Sequence, residues 1–424
     1  MNTKKTTRST SSSEVLLTTL PRLGAHVAIV AMVALSPVLT ERAALAFEAR
    51  HAPLPLIGSE GGPVLATPRI VPVYYSADPL AADLGAFYAK LATSQYLAHA
   101  LAGYGAASPV IAAPVVVSDA PPVSTLDTDI AAWLSAEIEA GVLPAEDGNT
   151  AYEVHFPATT QVNAGGLYGE SYPTCYSFEF EAYLSSGTAV PFGVIPLCAG
   201  TLPSLTDLET ATVFATSAIA DQVTNPYVND SPAYNEPSWS GSGWATLIGI
   251  QPGDLCFNTQ DEWNTTPADL GYLAARIWSN AAAASGNNPC PDYSGTRETY
   301  FNAAPDIEGG TVLRPLDIVK GIILPVGGGS VTIPVRLFSD GPMHAWSLSA
   351  AERNDLDGQA SSVLSFSFDR AEGASGDVRN LTITRAPIAD GGIAYPSETV
   401  PLAFAITSTS GTLSHQWIVA VSNE

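Results

Sequence analysis

Three sets of side chains in this 424-residue sequence are of types that do chemistry. Asp221 and Asp254, with Asn225 beside the first, make a hard, oxygen-rich set suited to calcium. Four cysteines, Cys175, Cys198, Cys256 and Cys290, lie in the central region and form no C-x-x-C pair. Tyr227, Tyr234, Trp239 and Trp244 punctuate a stretch, 227–250, that is otherwise rich in Asn, Ser, Pro and Gly. Exposed aromatic rings on a polar loop can hold sugars or peptides by stacking, and the same rings can instead plug the loop onto its own domain. The chain has six histidines, and none lies between His155 and His344. His155 sits between Val154 and Phe156 on an expected strand, where a packed or edge histidine is the ordinary reading.

Other chemistries lack their patterns. G-x-S-x-G is absent, and Ser240-Gly241-Ser242-Gly243 has no strand-turn-helix around it. Gly327-Gly328-Gly329-Ser330 links two expected strands and is not a phosphate loop. Asn354-Asp355-Leu356-Asp357-Gly358 has the look of a calcium loop. It lacks the alternating ligands and terminal Glu of an EF-hand, so a plain turn is the better reading.

The elements that must position these residues fall into two groups. Over 69–280 strands and helices alternate, which predicts an α/β or α+β domain. Residues 70–75 read as a buried strand. Asp78-Pro79 reads as an N-cap with Pro at N1, ahead of a helix carrying Leu80, Leu84, Phe87, Tyr88 and Leu91. A second helix starts at Asp127, buries Ile130, Trp133, Leu134 and Ile138, and ends at Gly141. Strands are expected over 150–156, 172–183 and 192–197. Residues 272–279 read as a final strand or helix anchored by Ile277-Trp278. Between them lies a helix over 206–223. Thr206-x-x-Glu209 is a capping box, Leu208, Thr212, Ala215, Ile219 and Val223 form its stripe, and Pro226 stops it. From about 305 the pattern turns to short alternating strands, such as Val331/Ile333/Val335/Leu337 and Trp417/Val419/Val421, separated by Gly-rich turns. Seven or eight of these over 305–424 predict an Ig-like β-sandwich.

Residues 1–46 read as a signal peptide. Lys4, Lys5, Arg8 and Arg22 precede the apolar run 26–35, and Ala44-Leu45-Ala46 is an A-x-A-like cleavage site. That run is too short to span a membrane, and no second long apolar run follows it, so no membrane insertion of the mature chain is expected. The formal net charge is −24, and removing residues 1–46 would leave 12 basic residues against 39 acidic ones. Such a surface repels nucleic-acid phosphates and anionic membranes and favours solubility. The expected location is secreted, periplasmic or cell-surface. In an oxidising compartment an even cysteine count implies two disulfides. Of three possible pairings, Cys175–Cys198 and Cys256–Cys290 are preferred, because each encloses a short segment between expected elements.

Three short motifs together carry a resemblance. Residues 216–226 read T-S-A-I-A-D-Q-V-T-N-P, Gly253-Asp254-Leu255-Cys256 follows about thirty residues later, and Gly61-Gly62-Pro63-Val64-Leu65 precedes both. Over about 60–290 the chain resembles the phosphate-induced/EXORDIUM family, whose helix reads S-H-E-L-x-E-A-x-T-D/N-P. The resemblance implies a zincin-like sheet backed by helices over 47–300, so the expected fold is α+β followed by an all-β sandwich. It also implies a zinc site, with the His at Ser217, the Glu at Ala218 and the second acidic position at Asp221. A hydroxyl is a poor zinc donor and Ala cannot act as a base. The family's Cys-x-x-His is here Cys175-Tyr176-Ser177-Phe178, so that histidine is missing too. Ser217, Ala218, Asp221, Asn225 and Asp254 therefore mark a degenerate site. No catalytic residue and no cofactor are expected, with calcium as the remaining metal reading. The expected function is non-catalytic binding of a protein or glycan. A hydrolase with a departed ligand set and a structural envelope component are the alternatives.

Overall fold

The computed structural model describes residues 54–165, 172–237, 251–259, 263–296, 298–307, 311–313, 318–325, 327–353, 363–387 and 402–422. The expected signal peptide, Trp239, Trp244 and the turn at 354–358 lie outside the described residues. The chain divides into two units, Met1–Leu45 and Ala46–Glu424. Within the second unit the fold is α+β.

Its first half is built on a mostly parallel sheet. β1 (Arg69–Tyr75) and β2 (Thr150–Phe156) run parallel, and β3 (Phe178–Tyr183) is the antiparallel edge beside β4 (Ala189–Pro196), which pairs parallel with β2. Short strands at Val110–Ile111 and Val115–Val117 extend the other edge. β1 and β2 are buried almost throughout because helices cover both faces of the sheet. Val71, Val73, Tyr152, Val154, Phe192 and Val194 face α2 (Asp127–Glu139), which buries Ile130, Leu134 and Ile138. Ile70, Ala151 and Ile195 face α1 (Ala81–Leu91) and α3 (Asp207–Thr224).

Local signals hold with small shifts. The capping box is formed, with the Thr206 hydroxyl accepting from the Glu209 amide at 3.2 Å and the Glu209 carboxylate accepting from the Thr206 amide at 2.8 Å. Asp78 accepts from the Leu80 amide at 2.8 Å in a turn ahead of α1 rather than capping it directly. The expected strand over 172–183 is broken into Tyr172–Pro173 and β3, with Cys175 in the gap. The segment 272–279 supplies the short strand Ala274–Ala275, paired with Asn264–Thr265, and leaves Ile277 and Trp278 fully buried.

Among the described residues the second half has two sheets. β5 (Phe301–Pro305), β7 (Gly329–Ser339), β9 (Leu364–Phe368) and β10 (Val378–Arg385) form one, in the order β5-β7-β10-β9. β6 (Ile318–Ile323), β8 (Trp346–Arg353), β11 (Leu402–Ser410) and β12 (Leu413–Ser422) form the centre of the other, in the order β6-β12-β11-β8. The registers Ile333↔Leu381 and Ile406↔Trp417 put the expected alternating residues in one core. That core also takes in Leu54, Ile57, Leu255, Cys256 and Trp278, so the two expected domains share buried apolar surface. Among the described residues no helix is long and apolar enough to cross a membrane.

Candidate functional site

α3 is enclosed on all sides, and residues 210–224 are all buried. Each polar side chain on it must therefore find a partner inside the protein, and those partners define what the helix touches. On one side the Thr216 hydroxyl accepts from the Ala275 amide at 2.9 Å. Toward the sheet, the Gln222 amide donates to Glu153 on β2. At the far end Asn225 accepts from the Ala233 amide at 2.7 Å and donates to Gln251 at 3.0 Å, and Gln251 donates in turn to Glu179 on β3 at 3.3 Å. Toward α4 (Pro252–Thr259), Asp221 accepts from the Gly253 amide at 2.6 Å.

Two glycines make this closeness possible. A Cβ on Gly253 would lie 2.5 Å from the Ser217 carbonyl oxygen and 2.8 Å from the Asp221 carboxyl carbon. A Cβ on Gly193 of β4 would come within 3.2 Å of the Ala218 Cβ and into the Gln222 amide. Gly253 thus lets α4 lie against α3, and Gly193 lets α3 lie against the sheet. Each letter of Gly253-Asp254-Leu255-Cys256 has a task. Gly253 gives the close approach, Asp254 lines a cavity, Leu255 enters the shared core and Cys256 is bridged.

The cavity, about 50 Å³, lies where α3 meets α4. Tyr176, Phe214, Phe257 and Trp263 give it aromatic walls, and Ser217 and Asp254 give it polar ones. Both disulfides have the preferred pairing, Cys175–Cys198 and Cys256–Cys290. Each places a bridged cysteine directly before a wall ring, Tyr176 in one case and Phe257 in the other. Those two rings are the exposed ones, at 51 % and 38 %, whereas Phe214 is 6 % exposed and Ser217 8 %.

Behind the cavity lies a group of carboxyls. Burial pushes Glu153 well above the usual carboxylate range, and the charge of Glu179 adds to it. Glu179 is raised by burial and then by Asp254. Asp221 is raised by burial, then by Asp254 and Glu179, against the lowering effect of the Gly253 N–H. Burial lifts Asp254 to about 6. Glu153 Oε2, Asp221 Oδ2 and Gln222 Oε1 are buried without a hydrogen-bond partner. For Glu153, Glu179 and Asp221 the neutral acid is favoured, because a buried charge is costly, whereas Asp254 gives up its proton above about 6. Among the described residues no three His, Cys, Asp or Glu side chains are arranged to hold a metal ion. Asn225, the third member of the calcium set, is occupied by Ala233 and Gln251.

The structure brings Ser217, Asp221 and Asp254 together, and neither Tyr227 nor Tyr234 is among the residues lining the cavity. Ala218, fully buried, packs toward β4 at Gly193. Tyr227 is half-buried, and Tyr234 packs edge-on against Tyr104 with ring centroids 4.9 Å apart. His155 is a packed histidine, 2.6 Å from the Tyr88 hydroxyl and held at about 3 by burial. Sequence reasoning missed Glu153, Glu179 and the wall rings. The signal for the first was a carboxylate inside an otherwise buried strand. For the second it was the alternation Phe178-Glu179-Phe180-Glu181, with the Phe residues packing toward α2. For Tyr176 and Phe257 it was an aromatic directly after a cysteine; Phe214 and Trp263 carried no such signal. No protein-family model matches this chain, and no curated protein matches it.

Proposed function

We propose that this is a secreted, non-catalytic binding protein, in which a zincin-like domain with a degenerate site is joined to a β-sandwich. The site's cavity is its ligand pocket. The observation that carries the reading is the composition of the cavity wall. Where the EXORDIUM resemblance expects a zinc ligand, the wall has the Ser217 hydroxyl, and where it expects a base, Ala218 packs toward the sheet. The residues present do not fit zinc. Ser217 is a poor donor, Phe178 stands in place of the second histidine, and the neighbouring carboxyls favour their neutral forms. The aromatic and apolar walls, with a few polar groups among them, are instead those of a small-ligand pocket. Two disulfides support an oxidising compartment. The test is hydrolysis of a mixed peptide substrate by the purified mature protein. No turnover above that of Asp254→Asn is expected. Turnover that a zinc chelator abolishes would replace this reading with the hydrolase.

A further inference from the structure

The face of the first sheet that α3 covers turns from apolar to acidic toward the β3 edge. Register places Glu153 of β2, Gly193 of β4 and Glu179 of β3 in one row across three neighbouring strands. Such strands lie about 4.8 Å apart, so the two glutamate backbones are about 10 Å apart. Gly193 puts no side chain between them. The Gln222 amide reaches into that gap from α3 and donates to Glu153. The Gln251 amide, directly before α4, donates to Glu179 at 3.3 Å. Neutral amides therefore tie both carboxyls to the layer above the sheet. Among the described residues no Lys or Arg pairs with Glu153, Glu179 or Asp221. The sequence supplies the reason. No Lys or Arg lies between Lys90 and Arg276, the stretch that builds β2, β3, β4, α3 and α4.

Hydrogen-bond donors are short here too. Glu153 Oε2, Asp221 Oδ2 and Gln222 Oε1 are buried acceptors without a partner. An ionised carboxyl only accepts, whereas a protonated one also donates. Protons on the carboxyls would supply the donors that the amides cannot. We propose that Glu153 and Glu179 form an acid-closed latch, which in its protonated state holds α3 on the edge of the sheet and releases it on ionisation. The titratable groups that face the pair bring no positive charge. Glu181 on β3, Asp221 on α3 and Asp254 on α4 are acids. Tyr74 on β1 and Tyr88 on α1 are raised by burial, and His155, two residues along β2 from Glu153, is held at about 3 by burial. Burial raises Glu153 and Glu179, with the charge of Glu179 adding to the first and that of Asp254 to the second. The folded state therefore binds more protons than the unfolded state. The latch contributes fully below the ordinary glutamate value of about 4.3 and is lost as pH rises through the raised values. α3 also carries Phe214 and Ser217, so the latch sets the shape of the cavity wall as well.

Backbone hydrogen exchange, corrected for the intrinsic rate at each pH, is measured on the purified mature protein at about pH 5 and about pH 8. In wild type the α3 amides should lose at least about tenfold in protection between the two, while those of β11 and β12 keep theirs. The double variant Glu153→Gln/Glu179→Gln keeps the size of both side chains and puts a donor that does not titrate in place of each acid. Its α3 protection should match wild type at about pH 5 and exceed it by at least about tenfold at about pH 8. Wild-type protection of α3 that does not fall, or that falls equally in the variant, would overturn the latch. An equal loss in β11 and β12 would overturn it too, because the effect would then be global. If the variant does not fold, the wild type decides. Its infrared spectrum at about pH 7 should show a protonated-carboxyl band, and the absence of that band would overturn the proposal.

Discussion

Replacing Gly253 by alanine tests the contact on which the site depends. The new methyl group would lie 2.5 Å from the Ser217 carbonyl oxygen and 2.8 Å from the Asp221 carboxyl carbon. Both are roughly 1 Å short of a comfortable non-bonded contact. One obstacle is helix backbone, so a rotamer change cannot relieve it. α4 would have to move, although Leu255 and Cys256 in the shared core and the Cys256–Cys290 bridge all hold it. Overpacking of this kind costs about 1–3 kcal/mol. Loss of the 2.6 Å Gly253–Asp221 hydrogen bond, leaving a buried acceptor, adds about 1–3 kcal/mol. The expected destabilisation is about 3–5 kcal/mol, read as a drop in the urea midpoint at constant slope. Gly327→Ala is the control. A Cβ there meets nothing within 4 Å, and its effect should stay within about 0.5 kcal/mol. Adding Asp221→Ala to Gly253→Ala should rescue only part of the loss, because the Ser217 carbonyl remains. A Gly253→Ala protein within about 0.5 kcal/mol of wild type would refute the close approach of the two helices.

Two further expectations concern pH and the disulfides. Asp254 is raised in the folded protein, so between about pH 4 and about pH 6 the folded state binds more protons than the unfolded state. Its contribution is therefore fully present below about pH 4 and is lost as pH rises toward 6. Asp254→Asn should match wild type at low pH and exceed it by about 2–3 kcal/mol above pH 6. A wild-type-minus-variant difference that does not change with pH would contradict this. The non-reduced chain should be lighter than the reduced chain by the four hydrogens of two bridges, and peptide mapping should join Cys175 to Cys198 and Cys256 to Cys290. Reduction should cost about 3–4 kcal/mol per bridge in the chain-entropy model and loosen Tyr176 and Phe257 together. Four alkylatable thiols in native protein would rule the bridges out.

What the sequence made legible was local. The Thr206/Glu209 capping box is complete within four residues, so α3 could be placed to within one residue at each end. Alternation over seven and five residues identified the strands carrying Ile333 and Trp417. The cysteine pairing followed from short enclosed segments. What stayed hidden depends on residues far apart in the chain. Glu153 meets Gln222 across 69 positions, and Gly253 meets Asp221 across 32. β2 is buried on both faces, so it has no in-out alternation that would reveal that Glu153 faces α3. Tyr234 drew attention as an aromatic on a polar loop, yet it packs on Tyr104. Two of the cavity rings, Tyr176 and Phe257, are adjacent to cysteines whose role looked purely structural. The composition shift near 305 is real, but it does not mark a break in packing, since Leu255 and Trp278 lie in the core of the strands that follow.

The central claim is that this cavity is a binding pocket whose walls do not hold a catalytic metal. Elemental analysis of the purified mature protein, after dialysis against metal-free buffer supplemented with trace zinc and calcium, tests it most directly. The account predicts well under one equivalent of either metal per chain, unchanged by Asp221→Asn or Asp254→Asn. One equivalent of zinc in wild type, lost in those variants, would contradict it.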